Sequence, residues 1–233
     1  MPIKKKPTRK ELLKEPDEFL TLSRRMLQYA TAHRKAIAIA AAAFFGVLVV
    51  FAGFRYYTMR AEDRAFGLLD QAVAAFDAAA EQRDPAAGQR AAEEAFTRLF
   101  DRYEGKAAAA VGRVVYADIC YRAGDPKKAI EMYTEALNAF ETDPALLSLI
   151  YNGLGSAWEA AGDLEKAAEN FRRVAEGAEA VFKDDAMFQL ARIYERMGRT
   201  AQGAKLYEQI PEQYPASLFG EIAREKAARK EGA

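Results

Sequence analysis

The chain has 233 residues, with 34 Lys and Arg against 34 Asp and Glu, one His and one Cys. A lone cysteine excludes an internal disulfide framework, so stability must rest on packing. The balanced total conceals two opposed parts: residues 1–35 carry ten basic and four acidic side chains, leaving 24 and 30 for the rest, so an arm of net +6 precedes a body of net −6. An acidic body excludes nucleic acid as its partner.

The arm reads as two helical pieces split at Pro16, which cannot donate the helix hydrogen bond and crowds the preceding turn. Thr8 with Glu11 fits a capping box at the start of the first piece. The second piece places Phe19, Leu22, Met26, Leu27 and Ala30 on one apolar stripe, with Arg24 and Arg25 beside it. Such a helix suits an anionic lipid leaflet; a basic topology signal without a partner is the alternative. His33 stands where the chain enters the next segment, without a neighbouring carboxylate or second ligand, and reads as an interfacial residue rather than a catalyst.

Ala36 to Phe54 are nineteen consecutive residues without a charge. At helical rise they extend about 28 Å, close to the ~30 Å thickness of a bilayer's hydrocarbon. Seven are Ala and two are Gly, so the drive for insertion comes from the ten Ile, Leu, Val and Phe residues, worth on the order of −3 to −6 kcal/mol together. Tyr56 and Tyr57 follow as aromatic anchors. A cleaved signal peptide has a shorter apolar core and a small-residue site after it, and a buried core helix keeps one polar face; neither description fits this segment as well as a single spanning helix does. Retention of the basic arm in the cytoplasm predicts a single-pass protein of a bacterial inner membrane, with its amino terminus cytoplasmic and its carboxy-terminal domain periplasmic. Within the span, Ala42 and Gly46, with Gly53 one heptad beyond Gly46, form a face of small residues that another helix would approach closely.

Past the span the pattern is helical, with no strand alternation. Phe66, Leu69, Val73 and Phe76 keep an amphipathic rhythm over a linker helix at 55–82, and whether that helix continues the span rigidly stays open. Residues 87–104 supply part of a repeat unit. Three segments then align without gaps: "GRVVYADICYRAGDPKKAIEMYTEAL", "IYNGLGSAWEAAGDLEKAAENFRRVA" and "AMFQLARIYERMGRTAQGAKLYEQIP". In each, a leucine or tyrosine precedes a small residue (Tyr116–Ala117, Leu154–Gly155, Leu190–Ala191), and Cys120, Trp158 or Tyr194 follows three later. A glycine then closes the first helix (Gly124, Gly162, Gly198), because a helix end often requires the left-handed conformation. Asp125 with Pro126, and Asp163, cap the next helix. Ala129, Ala167 and Gly203 allow close helix approach, and Tyr133, Phe171 and Tyr207 fill the groove between helix pairs. Cys120 lies on the apolar face of its helix and reads as a buried small hydrophobe.

These positions resemble the tetratricopeptide repeat, at residues 110–143, 148–181 and 184–217, the last including Pro215. Successive copies are offset by 38 and 36 residues, which predicts short insertions between units. The fold class is therefore all-α: one N-terminal transmembrane helix followed by an α-solenoid of helix pairs. The expected organisation is a basic arm at 1–35, the span at 36–54, a linker helix and partial repeat at 55–109, three repeats at 110–217, and a capping helix and tail at 218–233. The resemblance implies a concave partner-binding groove lined by Val114, Asp118, Tyr121 and Arg122 from the first unit, Asn152, Ser156 and Glu159 from the second, and Phe188, Arg192, Glu195 and Arg196 from the third. Repeats that clamp a terminal carboxylate use a Lys/Asn set here; only Asn152 corresponds, so that specificity is not expected.

No catalytic, cofactor or metal site is expected: no histidine follows residue 33, and there is no metal-ligand spacing or phosphate-binding glycine loop. The layout of basic arm, anchor and exported repeats is similar to the family of ancillary Sec translocon subunits in bacteria. That resemblance implies protein partners, namely membrane channel subunits, periplasmic chaperones or exported chains, together with the lipid bilayer, and no small-molecule substrate. An envelope-assembly scaffold for cell division, peptidoglycan or outer-membrane biogenesis is the alternative reading.

Overall fold

The computed structural model describes residues 18–80, 85–177 and 181–228. Among the described residues there are ten helices and no strand: α1 (Glu18–Ala32), α2 (Arg34–Ala80), α3 (Pro85–Tyr103), α4 (Ala107–Arg122), α5 (Pro126–Leu137), α6 (Pro144–Ala160), α7 (Leu164–Glu176), α8 (Lys183–Arg196), α9 (Thr200–Gln213) and α10 (Gly220–Ala228). The chain divides into two compact units, Met1–Met59 and Arg60–Ala233.

In the first unit, α2 is long and apolar enough to cross a membrane, and the most apolar part of it is not buried inside the protein. Every residue from 24 to 57 is exposed, including Ile39, Phe44, Val49, Val50 and Phe54. The buried-core alternative therefore does not describe this segment. The expected cap at Thr8 and Glu11 and the break at Pro16 lie outside the described residues, as do the side chains of Phe19 and Leu22.

The second unit is a solenoid in which each helix from α3 to α10 packs on the next. The pairs α4–α5, α6–α7 and α8–α9 are the three repeats read from the sequence. Inside each pair the connection is three residues (123–125, 161–163, 197–199), whereas six residues separate one pair from the next (138–143, 177–182), so the extra residues fall between repeats.

Each first helix ends in the same way. Gly124, Gly162 and Gly198 have φ of +84°, +87° and +74°. That left-handed step turns the next amide back on the helix: Asp125 N donates to Cys120 O at 2.9 Å, Asp163 N to Trp158 O at 3.0 Å and Arg199 N to Tyr194 O at 2.8 Å. The second helix then starts under a side-chain cap where the sequence supplies one, since Asp125 Oδ1 accepts from Lys128 N at 3.1 Å and Asp163 Oδ1 from Lys166 N at 3.0 Å. Asp143 caps α6 in the same manner, accepting from Ala145 N and Leu146 N, both at 3.1 Å.

The core is built from small residues facing aromatics. Ala117, Ala129, Ala157, Ala167 and Ala191 are fully buried, as are Phe171 and Tyr207, with Tyr133 nearly so. A Cβ added at Gly155 would fall 2.7 Å from the Phe171 ring, and one at Gly203 would fall 2.9 Å from the Ala191 carbonyl oxygen. The ring of Tyr133 occupies the same kind of space over Gly153, a position the sequence pattern did not single out. Trp158 is half-buried and carries the Lys166 ammonium 4.0 Å from its ring centroid.

Upstream of the repeats, the stripe expected on Phe66, Leu69, Val73 and Phe76 is rotated. Ala65, Leu69, Ala72 and Phe76 are the buried set, and Phe66 is 40% exposed. The reason is steric: Phe76 seats over Gly88 of α3, and the small Ala65 and Ala72 face the core, leaving no room there for Phe66. On α3, Ala92 and Phe96 repeat the small–aromatic spacing of the later units, and Phe96 stacks on Tyr116 with centroids 4.6 Å apart. Glu62 completes the joint: its Oε1 accepts from Ala108 N at 2.9 Å, supplying the first turn of α4 with the cap that Lys106 does not provide. At the far end α10 covers the last repeat, with Ala223 buried beside Tyr207 and Ile210.

Cys120 is fully buried, and burial, with the nearby Asp125 charge adding, pushes its thiol up to about 12. Burial likewise raises the phenols of Tyr116, Tyr133 and Tyr207. These groups ionise more readily in the unfolded chain, so their stabilisation is complete only below about pH 8 and is lost as pH rises from the unfolded thiol and phenol range toward the raised folded values. Chemical denaturation at pH 8 and pH 10 is expected to give a lower midpoint at the higher pH, and Cys120 to stay unmodified by a thiol reagent until the fold opens. Gly203→Val is expected to cost about 1–3 kcal/mol because a backbone oxygen cannot step aside. Gly105→Ala, which meets nothing within 4 Å, should leave the thermal midpoint close to that of the parent chain.

Candidate partner-binding surface

The first helices of the three repeats, α4, α6 and α8, carry the residues that the sequence pattern assigns to the groove. On α4, Asp118 Oδ2 holds Arg122 Nε at 2.9 Å across one helical turn. The Arg122 guanidinium also lies 4.9 Å from the centroid of Phe76. Tyr121 is 38% exposed, whereas Val114 is half-buried against the core.

Between α6 and α8 runs a chain of polar contacts. Asn152 Nδ2 donates to Asp185 Oδ2 at 2.8 Å, and Gln189 Nε2 donates to Asp185 Oδ1 at 3.0 Å. Gln189 Oε1 in turn accepts from Arg192, whose other guanidinium nitrogen reaches Glu159 Oε1 at 3.3 Å. Arg196 meets the same Glu159 oxygen at 2.5 Å. The pairs 152–185 and 159–192 have the same separation in sequence, so two turns further along α6 meets two turns further along α8: the helices lie side by side in parallel register. Asn152 Oδ1 is buried and has no hydrogen-bond partner among the described residues. Ser156 turns its hydroxyl back to Asn152 O at 3.2 Å.

The structure brings Asn152, Glu159, Arg192 and Arg196 together. Asp185 and Gln189, which join them, were missed, because the repeat alignment pairs 152 with 188 rather than with 185 and gives no sign of this contact. Two expected groove residues serve other purposes. Phe188 is only 9% exposed, packed 4.8 Å from Phe219 and 5.6 Å from Tyr207 between ring centroids, because α10 lies across it. That burial corrects its assignment to an open groove. Glu195 accepts from Tyr207 Oη at 3.1 Å and from Lys226 Nζ at 2.9 Å, so it ties α8 to α9 and to the capping helix.

In the apolar helix, Gly46 floors a shallow depression lined by Ala43, Val47, Val50, Phe51 and Phe54. Gly46 and Gly53 have nothing within 4 Å of where a Cβ would stand. Ala42 is exposed on the same helix.

Residues 185–217 match the tetratricopeptide repeat family. No curated protein matches the chain. Among solved structures, the crystal structure of a tetratricopeptide repeat protein from Parabacteroides merdae is similar, with a TM-score of 0.58 at 15% sequence identity. The similarity covers 72% of this chain and 60% of that one, so this chain spans less than two thirds of that protein's length. At that identity the likeness shows the fold: a solenoid of tetratricopeptide-like helix pairs, a kind of module that binds other proteins.

Glu159 is 18% exposed at its side chain while Arg192 and Arg196 are 41% and 49% exposed, so solvent screens this triad. Glu159→Gln is expected to lower stability by at most ~1 kcal/mol, with coupling to Arg196→Ala of similar size in a double-mutant cycle. Phe188→Ala, by contrast, should cost about 3–5 kcal/mol as a core truncation. Thermal unfolding of the four variants distinguishes the surface role from the core role.

Proposed function

We propose that the protein is anchored in a bacterial inner membrane by residues 36–54 and presents its repeat solenoid in the periplasm, where the α4–α6–α8 surface binds protein segments beside the translocation machinery. The observation that carries this reading is the unburied apolar helix placed between a net +6 arm and a net −6 body that folds as a protein-binding solenoid. In this role the molecule is an accessory, chaperone-like subunit: the helix keeps the surface close to the membrane, and the repeats hold channel subunits, periplasmic chaperones or emerging chains. Tyr121, Arg122, Asn152, Ser156, Glu159, Arg192 and Arg196 are the residues assigned to that contact. Holding a partner requires no bond making, so no catalytic group is assigned.

Two measurements test it. A reporter fused after Ala233 that is active only outside the cytoplasm should be active, and mature protein should sediment with membranes. A photocrosslinker at Tyr121 or Arg196 should then capture channel subunits or exported chains, with capture reduced by Arg192→Glu. A cytoplasmic reporter signal, or soluble protein cut after Phe54, overturns the location. Crosslinks confined to division, peptidoglycan or outer-membrane assembly proteins replace the translocation role with that of an envelope scaffold.

A further inference from the structure

Met26 and Leu27 are each 68% exposed and Tyr29 is 66% exposed. With 100° per residue, Tyr29, Met26, Ala30 and Leu27 share an arc of roughly 160°, with Arg25 just beyond one edge and Arg24 just beyond the other. Gln28 sits opposite the centre of that arc. Arg34 and Lys35 follow, and no Asp or Glu occurs between residue 19 and residue 61. An apolar arc edged on both sides by arginines and free of acidic residues is complementary to one kind of surface, a hydrocarbon boundary under a layer of anionic headgroups.

We propose that α1 is an interfacial helix that lies along the anionic cytoplasmic face of the bilayer, with Met26, Leu27 and Tyr29 in the headgroup–acyl boundary and Arg24 and Arg25 on lipid phosphates. The proposal rests on the reading of residues 36–54 as a span, because the span sets α1 at the surface. The proposal sets the turn at His33, the one residue between α1 and α2. Two backbone hydrogen bonds pass through that residue, His33 N to Tyr29 O at 3.0 Å and Ile37 N to His33 O at 2.9 Å. Both lie at headgroup level, where water replaces whichever of them opens as the arm turns. The tilted ring pair of Tyr29 and His33, with centroids 4.5 Å apart, belongs to the same interfacial belt. A flat α1 fixes the depth and rotation of the span below it, since its arginines resist being drawn either into lipid or away from the phosphates.

The test uses the full-length chain carrying Cys120→Ala, with a fluorophore on one introduced cysteine at a time: Met26→Cys, Leu27→Cys, Gln28→Cys, and Phe51→Cys within the span. Each protein is reconstituted into vesicles of neutral phosphatidylcholine, with or without anionic phosphatidylglycerol. The expected result in anionic vesicles is that positions 26 and 27 are quenched by a lipid-borne quencher and are about fivefold less accessible than position 28 to an aqueous one. The contrast should shrink in neutral vesicles and be largely lost in either Arg24→Gln or Arg25→Gln, since each arginine is worth about fivefold in surface binding. Equal aqueous access at 26, 27 and 28 with position 51 shielded overturns the proposal and leaves the span intact, the arm then standing free in water. Shielding at 26 that does not depend on lipid charge and escapes the lipid-borne quencher overturns it in favour of contact with protein, a second copy included. Aqueous access at position 51 removes the span, and the proposal with it.

Discussion

Helices in this solenoid come close enough for an aromatic ring on one to fill the space left by a missing side chain on its neighbour. Phe171 lies against Gly155, Tyr133 against Gly153, and the backbone of α9 at Gly203 touches the backbone of α8 at Ala191. The arrangement recurs with each pair, so the interhelix distance is set by the small residue and the angle by the ring that must fit over it. Everything further along depends on that spacing. The parallel register of α6 and α8, and therefore the meeting of Asn152 with Asp185 and of Glu159 with Arg192, follows from two pairs stacked at the same distance.

The polar chain between α6 and α8 has two consequences. It satisfies groups that would otherwise lie half-buried between two helices, and it fixes which side chains face outward. Two arginines share one carboxylate at Glu159, while Asp185 is held from both sides by amides. Each side chain is thus oriented by its neighbour. The last repeat is closed differently. Phe219 covers Phe188, and Lys226 reaches back to Glu195, so the face that a fourth repeat would occupy is taken by α10.

Among the described residues from 24 to 59 the large apolar side chains are exposed, and the charges stand at 24, 25, 34 and 35 on one side of the uncharged run and at 55 beyond it. Among the described residues of Arg60–Ala233 most large apolar side chains are buried or half-buried, and charges on helix surfaces form i,i+3 and i,i+4 pairs such as Lys128–Glu131 and Arg173–Glu169. Residues 36–54 leave ten large apolar side chains exposed.

The amino-acid sequence alone determined the periodic part of this protein. Gly124, Gly162 and Gly198, the aspartate caps at 125 and 163, and the small–aromatic spacings act within one or two helical turns, so their consequences are written in local order and were legible before any coordinates. The apolar run at 36–54 was legible for the same reason, since length and composition suffice. Tertiary structure alone decided which side of α2 is buried, rotating the stripe from Phe66 to Ala65, and decided that Phe188 is core, because α10 lies over it from thirty residues away. It also decided that Asp185 and Gln189 complete the polar chain and that Glu62 caps a helix forty-six residues downstream. These depend on which helix lies beside which and at what rotation. Periodicity gives the face of a helix to within a residue or so, and a shift of one residue turns a side chain by about 100°.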